Sequence, residues 1–441
     1  MSKLSPARAA ALKIGSIVRL RKAYTAEVAT TVLGQATDLT PEDRAFARKL
    51  ALGVTACSGT LDYVIDHCLR SPSDIQDDVR DALRISAYEL IFLDKQDHAA
   101  VDQGVELVRS VAPKASGLAN AVLRKIARAS QSFPFGNPAT DTQALARSVA
   151  FPLWLAKRLI DGLGRDDAWA FMRECNSDAP VFIAANDCWK SPGTDVIDLP
   201  AIDGLEALGD LPGAYRLTRP GALTGGPLAF ALKTGQAIVT DEAAQRIAAF
   251  ALPEQCPQAF LEVGAGRGTK TILLQNHAMR RFGSQMPLIS VDDHQFKVDL
   301  LKRRTSAFGI RLDEALVADA TKFASGFDGR MFDAVFIDAP CSGLGTLRRH
   351  PEIRWRITPK DIEVLSKIGL AMLIECSKHV VCGGTIVFAT CTVLPEENEL
   401  TIQRFLKSRF GESFDVVDTL KTDLTHDGCD AHYAVKLRRV R

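Results

Sequence analysis

From about Gly235 to the end of the chain, short apolar runs alternate with helical stretches, and no other feature of the sequence restricts the fold as much. Ala259–Val263, Leu288–Val291, Glu314–Val317, Ala334–Ile337 and Thr385–Ala389 have the length and side chains of buried strands. Helical patterns lie between them, one near Ile362–Cys376. Strands that alternate with helices predict a mostly parallel sheet of βα units. Ligands bind such sheets at the carboxyl ends of the strands. The longest apolar stretch in this part, Val380–Ala389, is short and interrupted by Gly383-Gly384, so it reads as a turn and a buried strand.

The rest of the chain has a different rhythm. From Pro6 to about Ala129 apolar residues recur every three or four positions, as in Val79, Leu83, Ala87 and Leu90, which predicts a helical bundle. Thr40-Pro41-Glu42-Asp43 is a helix start, with Thr40 as cap and Pro41 in the first turn. Ser132–Thr142, which contains Phe133-Pro134-Phe135-Gly136-Asn137-Pro138, is a linker. Beyond it, helical Leu153–Leu163 and Asp166–Glu174 precede strand-like Val181–Ala185. The fold expected is therefore multidomain: an all-α domain over 1–132, a small α+β insert over 149–222 and an α/β Rossmann-like domain over 223–441.

The first strand of the α/β part runs into Glu262-Val263-Gly264-Ala265-Gly266-Arg267-Gly268-Thr269-Lys270-Thr271. Three glycines before a helix let a ligand approach the backbone and the helix N-terminus. A nucleotide phosphate, a dinucleotide and S-adenosylmethionine all suit such a loop, although the Gly-Lys-Ser/Thr phosphate loop is absent. The second strand ends at Asp292-Asp293, where a carboxylate can take both ribose hydroxyls. The third ends at Val317-Ala318-Asp319, where an acid can meet the adenine amino group. Taken singly, each acid is a helix cap or turn residue. Together with the loop, they favour a cofactor containing adenosine.

Two later strands end in cysteines. Asp333–Ile337 leads into Asp338-Ala339-Pro340-Cys341-Ser342-Gly343-Leu344-Gly345, and Val387–Thr390 leads into Cys391-Thr392-Val393 and Pro395-Glu396-Glu397-Asn398. A thiolate that adds to C6 of cytosine turns C5 into a carbon able to attack a methyl group, and a second group must then help the ring lose its C5 proton. An acid such as Asp338 at N3 and the exocyclic amine would stabilise the adduct. One cysteine alone would be a buried thiol, but two at neighbouring strand ends are hard to explain by packing. After Cys341, Arg348, Arg349, His350, Arg354 and Trp355 lie in a basic, aromatic loop. Read by itself, this loop is as well a solvated surface as an RNA contact; beside two cysteines, contact with phosphates and an unstacked base is the better reading.

These motifs resemble the bacterial 16S ribosomal RNA cytosine-5 methyltransferases of the Sun/Fmu (RsmB) type. The most specific matches are Asp338–Gly345 with Arg348–Trp355, and Ala389-Thr390-Cys391-Thr392-Val393-Leu394-Pro395-Glu396-Glu397-Asn398. The helical third is similar to the NusB-type RNA-binding domain of that family, on Asp43-Arg44, Leu61-Asp62, His98–Val101 and Leu118–Arg124. The resemblance implies Cys391 as nucleophile, with Cys341 assisting proton loss and release and Asp338 binding the target cytosine. It also implies Asp292 on the ribose, Asp319 at the adenine and Lys270 beside the methionine part of S-adenosylmethionine. The cofactor loop departs from the family's Cys-Ala-Ala-Pro-Gly-Gly-Lys-Thr, and Thr240-Asp241-Glu242 stands where Gln-Asp-Glu is usual.

A net charge of +1 gives no general pull on nucleic acid, so RNA must meet a local patch. The ten scattered cysteines, with no CxxC pair, suggest neither a zinc site nor a thioredoxin-like motif and fit a reducing cytoplasm. The chain is expected to act as a monomer on 16S ribosomal RNA, with no metal, DNA or membrane partner. One alternative keeps the chemistry and takes transfer RNA. Another is a non-catalytic RNA-binding or ribosome-assembly factor, for which the altered cofactor loop is the argument.

Overall fold

The computed structural model describes residues 4–93, 97–190, 195–323, 327 and 329–441. These form two compact units, Met1–Asp178 with Thr346–Ile357, and Ala179–Gly345 with Thr358–Arg441.

The first unit opens with α1 (Pro6–Arg21), α2 (Thr25–Gln35), α3 (Pro41–Cys68), α4 (Asp77–Phe92), α5 (Asp97–Val111) and α6 (Ser116–Ser130). It continues through α7 (Thr142–Ser148), α8 (Leu153–Leu163) and α9 (Arg165–Glu174). Thr40 caps α3 by accepting from the Asp43 N–H at 3.1 Å, as its position before Pro41 predicts. The three- and four-residue spacing of α4 puts Val79, Leu83, Ala87 and Leu90 into a core shared with Leu61, Ile65, Leu123 and Ile126. Arg8 closes a two-pronged ion pair on the fully buried Glu89 carboxylate.

The second unit starts with β1 (Val181–Ala185), β2 (Leu205–Ala207), β3 (Ala214–Leu217), α10 (Gly226–Thr234) and β4 (Ala237–Val239). These strands make a small antiparallel sheet in the order β2-β3-β1-β4. The segment 149–222 is thus not one body: its helices belong to the first unit and its strands to the second. Then follow α11 (Glu242–Ala251), β5 (Phe260–Val263), α12 (Thr269–Phe282), β6 (Leu288–Asp292), α13 (Gln295–Ala307), β7 (Glu314–Val317) and β8 (Phe332–Asp338). The chain returns to the first unit for Thr346–Ile357, which carries the short α14 (Ile353–Arg356). It re-enters the second unit with α15 (Pro359–Ser377), β9 (Val380–Thr390), α16 (Glu399–Leu406), β10 (Phe414–Lys421) and β11 (Tyr433–Arg439).

The large sheet has the order β10-β11-β9-β8-β5-β6-β7. Strands β9 to β7 in that order are parallel, and the β10–β11 hairpin is added antiparallel at one side. This is a Rossmann-like α/β domain. Alternate residues of each strand feed opposite cores. Val335, Ile337, Ile386 and Phe388 pack with α15 and α16, while Ala334, Phe336, Val387, Ala389 and Ala434 pack with α11 and α12. Among the described residues no helix is long and apolar enough to cross a membrane.

Candidate active site

The α11/α12 face of the large sheet collects the functional side chains at the carboxyl ends of its parallel strands. Glu262 continues the alternation begun by Phe260 and is fully buried. Its Oε2 accepts from Thr271 Oγ1 and Ser290 Oγ, both at 2.7 Å, while Oε1 has no partner. Burial pushes the Glu262 carboxyl up to about 7, against the pull of the two hydroxyls. Val263 is buried at the strand end, and Gly264 and Ala265 both donate to the Val291 carbonyl, at 2.9 and 3.0 Å. Gly264 has φ +79°, and a Cβ there would stand 2.4 Å from the Asp338 carbonyl oxygen. Only glycine lets this turn run against the end of β8. Gly268, at φ +81°, leads into α12.

Asp292 is buried at the end of β6. Its Oδ2 accepts from the Gly266 N–H at 2.9 Å, and its Oδ1 from the His294 N–H at 3.1 Å and Lys297 Nζ at 3.1 Å. Asp319 is exposed beyond β7, with Oδ1 accepting from the N–H and hydroxyl of Thr321; these bonds lower its pKa. Lys270, in the first turn of α12, donates to Asp338 Oδ2 at 2.7 Å. Burial alone would lower the Lys270 pKa, but the negative charge of Asp338 and the hydrogen bond to it raise it above the ordinary lysine value.

Cys341 and Cys391 lie together, with their Sγ atoms 3.1 Å apart and the Cys391 N–H donating to Cys341 Sγ at 3.2 Å. Both are free and half-buried. The hydrogen bond with Cys391 raises the Cys341 pKa most; burial and the charges of Cys391 and Glu397 raise it further, so Cys341 is held as a thiol. The two cysteine loops are laced together. Glu397 accepts from the Ser342 N–H at 2.7 Å, the Ser342 hydroxyl at 2.5 Å and the Thr392 hydroxyl at 3.0 Å. Asn398 donates to the Thr392 carbonyl at 2.9 Å and accepts from the Thr390 hydroxyl. Gly345 N–H donates to the Cys391 carbonyl at 2.9 Å, and a Cβ on Gly345 would meet the Ala431 carbonyl oxygen at 1.8 Å. Glu397 and Asn398 received no role in the sequence reading; the signal available was a charged and a polar residue in the loop that follows a strand-end cysteine.

The basic loop is corrected in part. All of Arg348–Trp355 belongs to the first unit. Arg354 has no exposed surface: it donates to the Ala150 carbonyl at 3.3 Å, Asn176 Oδ1 at 2.8 Å and the Cys175 carbonyl at 3.2 Å, with Phe151 under its guanidinium. It cannot meet an RNA phosphate from there. Trp355 donates to the Ala56 carbonyl at 2.8 Å, and its ring covers Gly59. The Arg348 side chain is only 3% exposed, facing Glu174. Arg349 and His350 are half-buried, the latter against the Tyr24 ring. Alternating charge in a sequence suggests a wet surface, whereas here backbone carbonyls of the helical unit draw the guanidinium inside. Arg354→Ala is therefore expected to destabilise the protein by about 2–4 kcal/mol, through three acceptors left without a donor and the cavity beside Phe151. Urea denaturation checks this, and unchanged stability would refute the buried role.

Comparisons with known proteins match both the helical part of the chain and the α/β part. The NusB family matches residues 5–128, and the family described as 16S rRNA methyltransferase RsmB/F matches residues 249–435. The probable ribosomal RNA small subunit methyltransferase B of Synechocystis is 31% identical over 91% of this chain and 89% of its own length. The corresponding protein of Bacillus subtilis is 29% identical over 84% of this chain and 81% of its own. Among solved structures, PH0851 superposes with a TM-score of 0.78 at 22% identity, covering 99% of this chain and 100% of that one. NSun6 from Pyrococcus horikoshii, solved with SFG, superposes at 0.55 with 15% identity over 66% of this chain and 99% of its own. Folded as a NusB-family helical domain with a Rossmann-like methyltransferase domain, the chain belongs to the RsmB/F family of ribosomal RNA small subunit methyltransferases.

Proposed function

We propose that this methyltransferase uses S-adenosylmethionine to methylate C5 of a cytosine in 16S ribosomal RNA, through a covalent bond between Cys391 and C6. The observation that carries this reading is the pair of thiols from two strand ends, 3.1 Å apart beside the Lys270–Asp338 ion pair. The residues present suit the cofactor: a glycine turn backed by Val263 and Ala265, the unpartnered Glu262 Oε1, and acids at the next two strand ends. In this reading Glu262, Gly264, Gly266, Gly268 and Lys270 cradle its amino-acid end and Asp292 its ribose, while Asp319 takes the adenine amino group. When bound, the cofactor supplies an electrophilic methyl group.

The chain's own residues do the rest. Cys391, as a thiolate, adds to C6, and the electron pair of the 5,6 double bond moves through C5 towards N3. Asp338, held by Lys270, takes the edge of the base that carries N3 and the exocyclic amine. Once C5 carries its methyl group, the C5 proton passes to Cys341 as the proton of Cys341 passes to the departing Cys391 sulfur. The 5,6 double bond returns, and Cys341 ends as a thiol, as it began. Arg349 and His350 are the members of the basic loop left to contact RNA. The same reading has the enzyme act in the cytoplasm, as a monomer, on RNA and not on DNA.

The test is transfer of labelled methyl from S-adenosylmethionine to 16S ribosomal RNA from cells that lack this protein. Label recovered as 5-methylcytosine at one position is the expected result. Folded protein that labels neither the RNA nor isolated small subunits would overturn the proposal.

A further inference from the structure

His432, the residue just before β11, has no part in the reaction outlined above. It is 7% exposed, and its Nδ1 has no hydrogen-bond partner. A buried polar atom left without a partner is costly, so an orphan in the catalytic end of a fold points to a partner that arrives with the substrate.

The strand register says where the ring stands. Tyr433 pairs with Thr390 and Ala434 with Ala389, so His432 is the next position opposite Cys391. Ala434 and Ala389 both face α11 and α12, as do Ala334 and Phe336 of β8. Alternation carries the same face to His432, Cys391 and Asp338, at the ends of three adjacent strands. Asp241, the cap of α11, reaches this corner too, accepting from the Asp430 N–H at 3.0 Å. Burial first, then the Lys270 charge, pushes the imidazole down to about 4 against the opposing pull of Asp241, Asp338 and a hydrogen bond with the Asp430 backbone. The ring is therefore neutral at physiological pH with a single N–H, and Nδ1 is the nitrogen open to a substrate.

Of the polar groups around the site, Lys270 is committed to Asp338, and Asp338 to the N3 and exocyclic-amine edge of the base. In this arrangement neither Lys270 nor Asp338 serves the oxygen on C2. That oxygen shares the negative charge that builds on the ring as sulfur adds to C6. We infer that His432 is a further catalytic residue, which donates a ring N–H to the C2 oxygen of the target pyrimidine during addition of Cys391. The inference rests on the reaction proposed above. No proton changes hands: the S–C6 bond forms, the π pair spreads over C5, N3 and O2, and the hydrogen bond shortens as charge grows.

The test compares His432→Phe and His432→Met, which give up the donor, with His432→Gln, which keeps one, in the full chain. Thermal unfolding and S-adenosylmethionine affinity confirm which variants are folded. Removing one donor aimed at developing charge is expected to lower kcat by about 10²-fold. KM for RNA should stay unchanged, and the glutamine variant should recover most of the rate. Wild-type kcat in a folded variant without the donor, a loss confined to KM, or a glutamine variant as slow as the others would each overturn the inference. Wild-type protein that forms no 5-methylcytosine would remove the reaction and this role together, a result distinct from an active enzyme indifferent to His432.

Discussion

Cys391→Ser is expected to lower methyl transfer by about 10⁴-fold or more while leaving the fold and the affinity for S-adenosylmethionine intact, the scale on which loss of a covalent nucleophile acts. Serine is nearly isosteric, and what positions residue 391 is not its sulfur. The Gly345 N–H holds its carbonyl, Asn398 and Glu397 fix Thr390 and Thr392 on either side, and β9 is paired on both edges up to this point. What changes is chemistry. A hydroxyl loses its proton near neutral pH far less readily than a thiol does, so the species that adds to C6 is missing. Single-turnover transfer to 16S ribosomal RNA, beside a melt and a cofactor titration, checks the expectation. A folded serine variant that methylates within tenfold of wild type would mean that no covalent bond to this residue is needed.

How far the sequence foretold this site depended on what each residue had to announce. The parallel core was legible because β5, β6, β8 and β9 are buried on both faces and so written as apolar runs. The β10–β11 hairpin was not foreseen: β10 is an edge strand with most of its side chains exposed, and Phe-Asp-Val-Val-Asp-Thr-Leu-Lys lacks a clean alternation. That omission hid His432, whose position opposite Cys391 exists only through the pairing of β11 with β9. Cysteines and acids at strand ends were legible because a strand end in a parallel sheet is already a place for a ligand. Arg354 and Trp355 misled for the opposite reason. Nothing local distinguishes an arginine that faces solvent from one drawn inward by the carbonyls of Ala150 and Cys175, some 180 to 200 positions earlier in the chain. Long-range hydrogen bonds of this kind leave no periodic trace.

Cys341→Ala is expected to do the reverse of Cys391→Ser: the covalent protein–RNA complex should accumulate while free methylated RNA falls. Addition to C6 asks only for Cys391 and the base pocket, and alanine removes neither. Departure asks for more. The C5 proton must leave, and the sulfur must be released from C6. In the native site a thiol stands 3.1 Å from the Cys391 sulfur, kept protonated by that contact, by burial and by the charges of Cys391 and Glu397. Alanine leaves a methyl group with no proton to give or take, and Ser342 and Thr392 are occupied with Glu397, so neither is free to substitute. General acid–base assistance is worth about 10²–10⁴-fold, and release should slow by that factor while attack proceeds. A band that migrates as protein plus RNA under denaturing conditions, dependent on S-adenosylmethionine and absent from the Cys341→Ala/Cys391→Ser double variant, is the expected readout. Normal turnover by Cys341→Ala would take the proton-transfer role away from this thiol. A complex that persisted in the double variant would show that a residue other than Cys391 makes the bond, so the two substitutions together test the order of the two sulfurs.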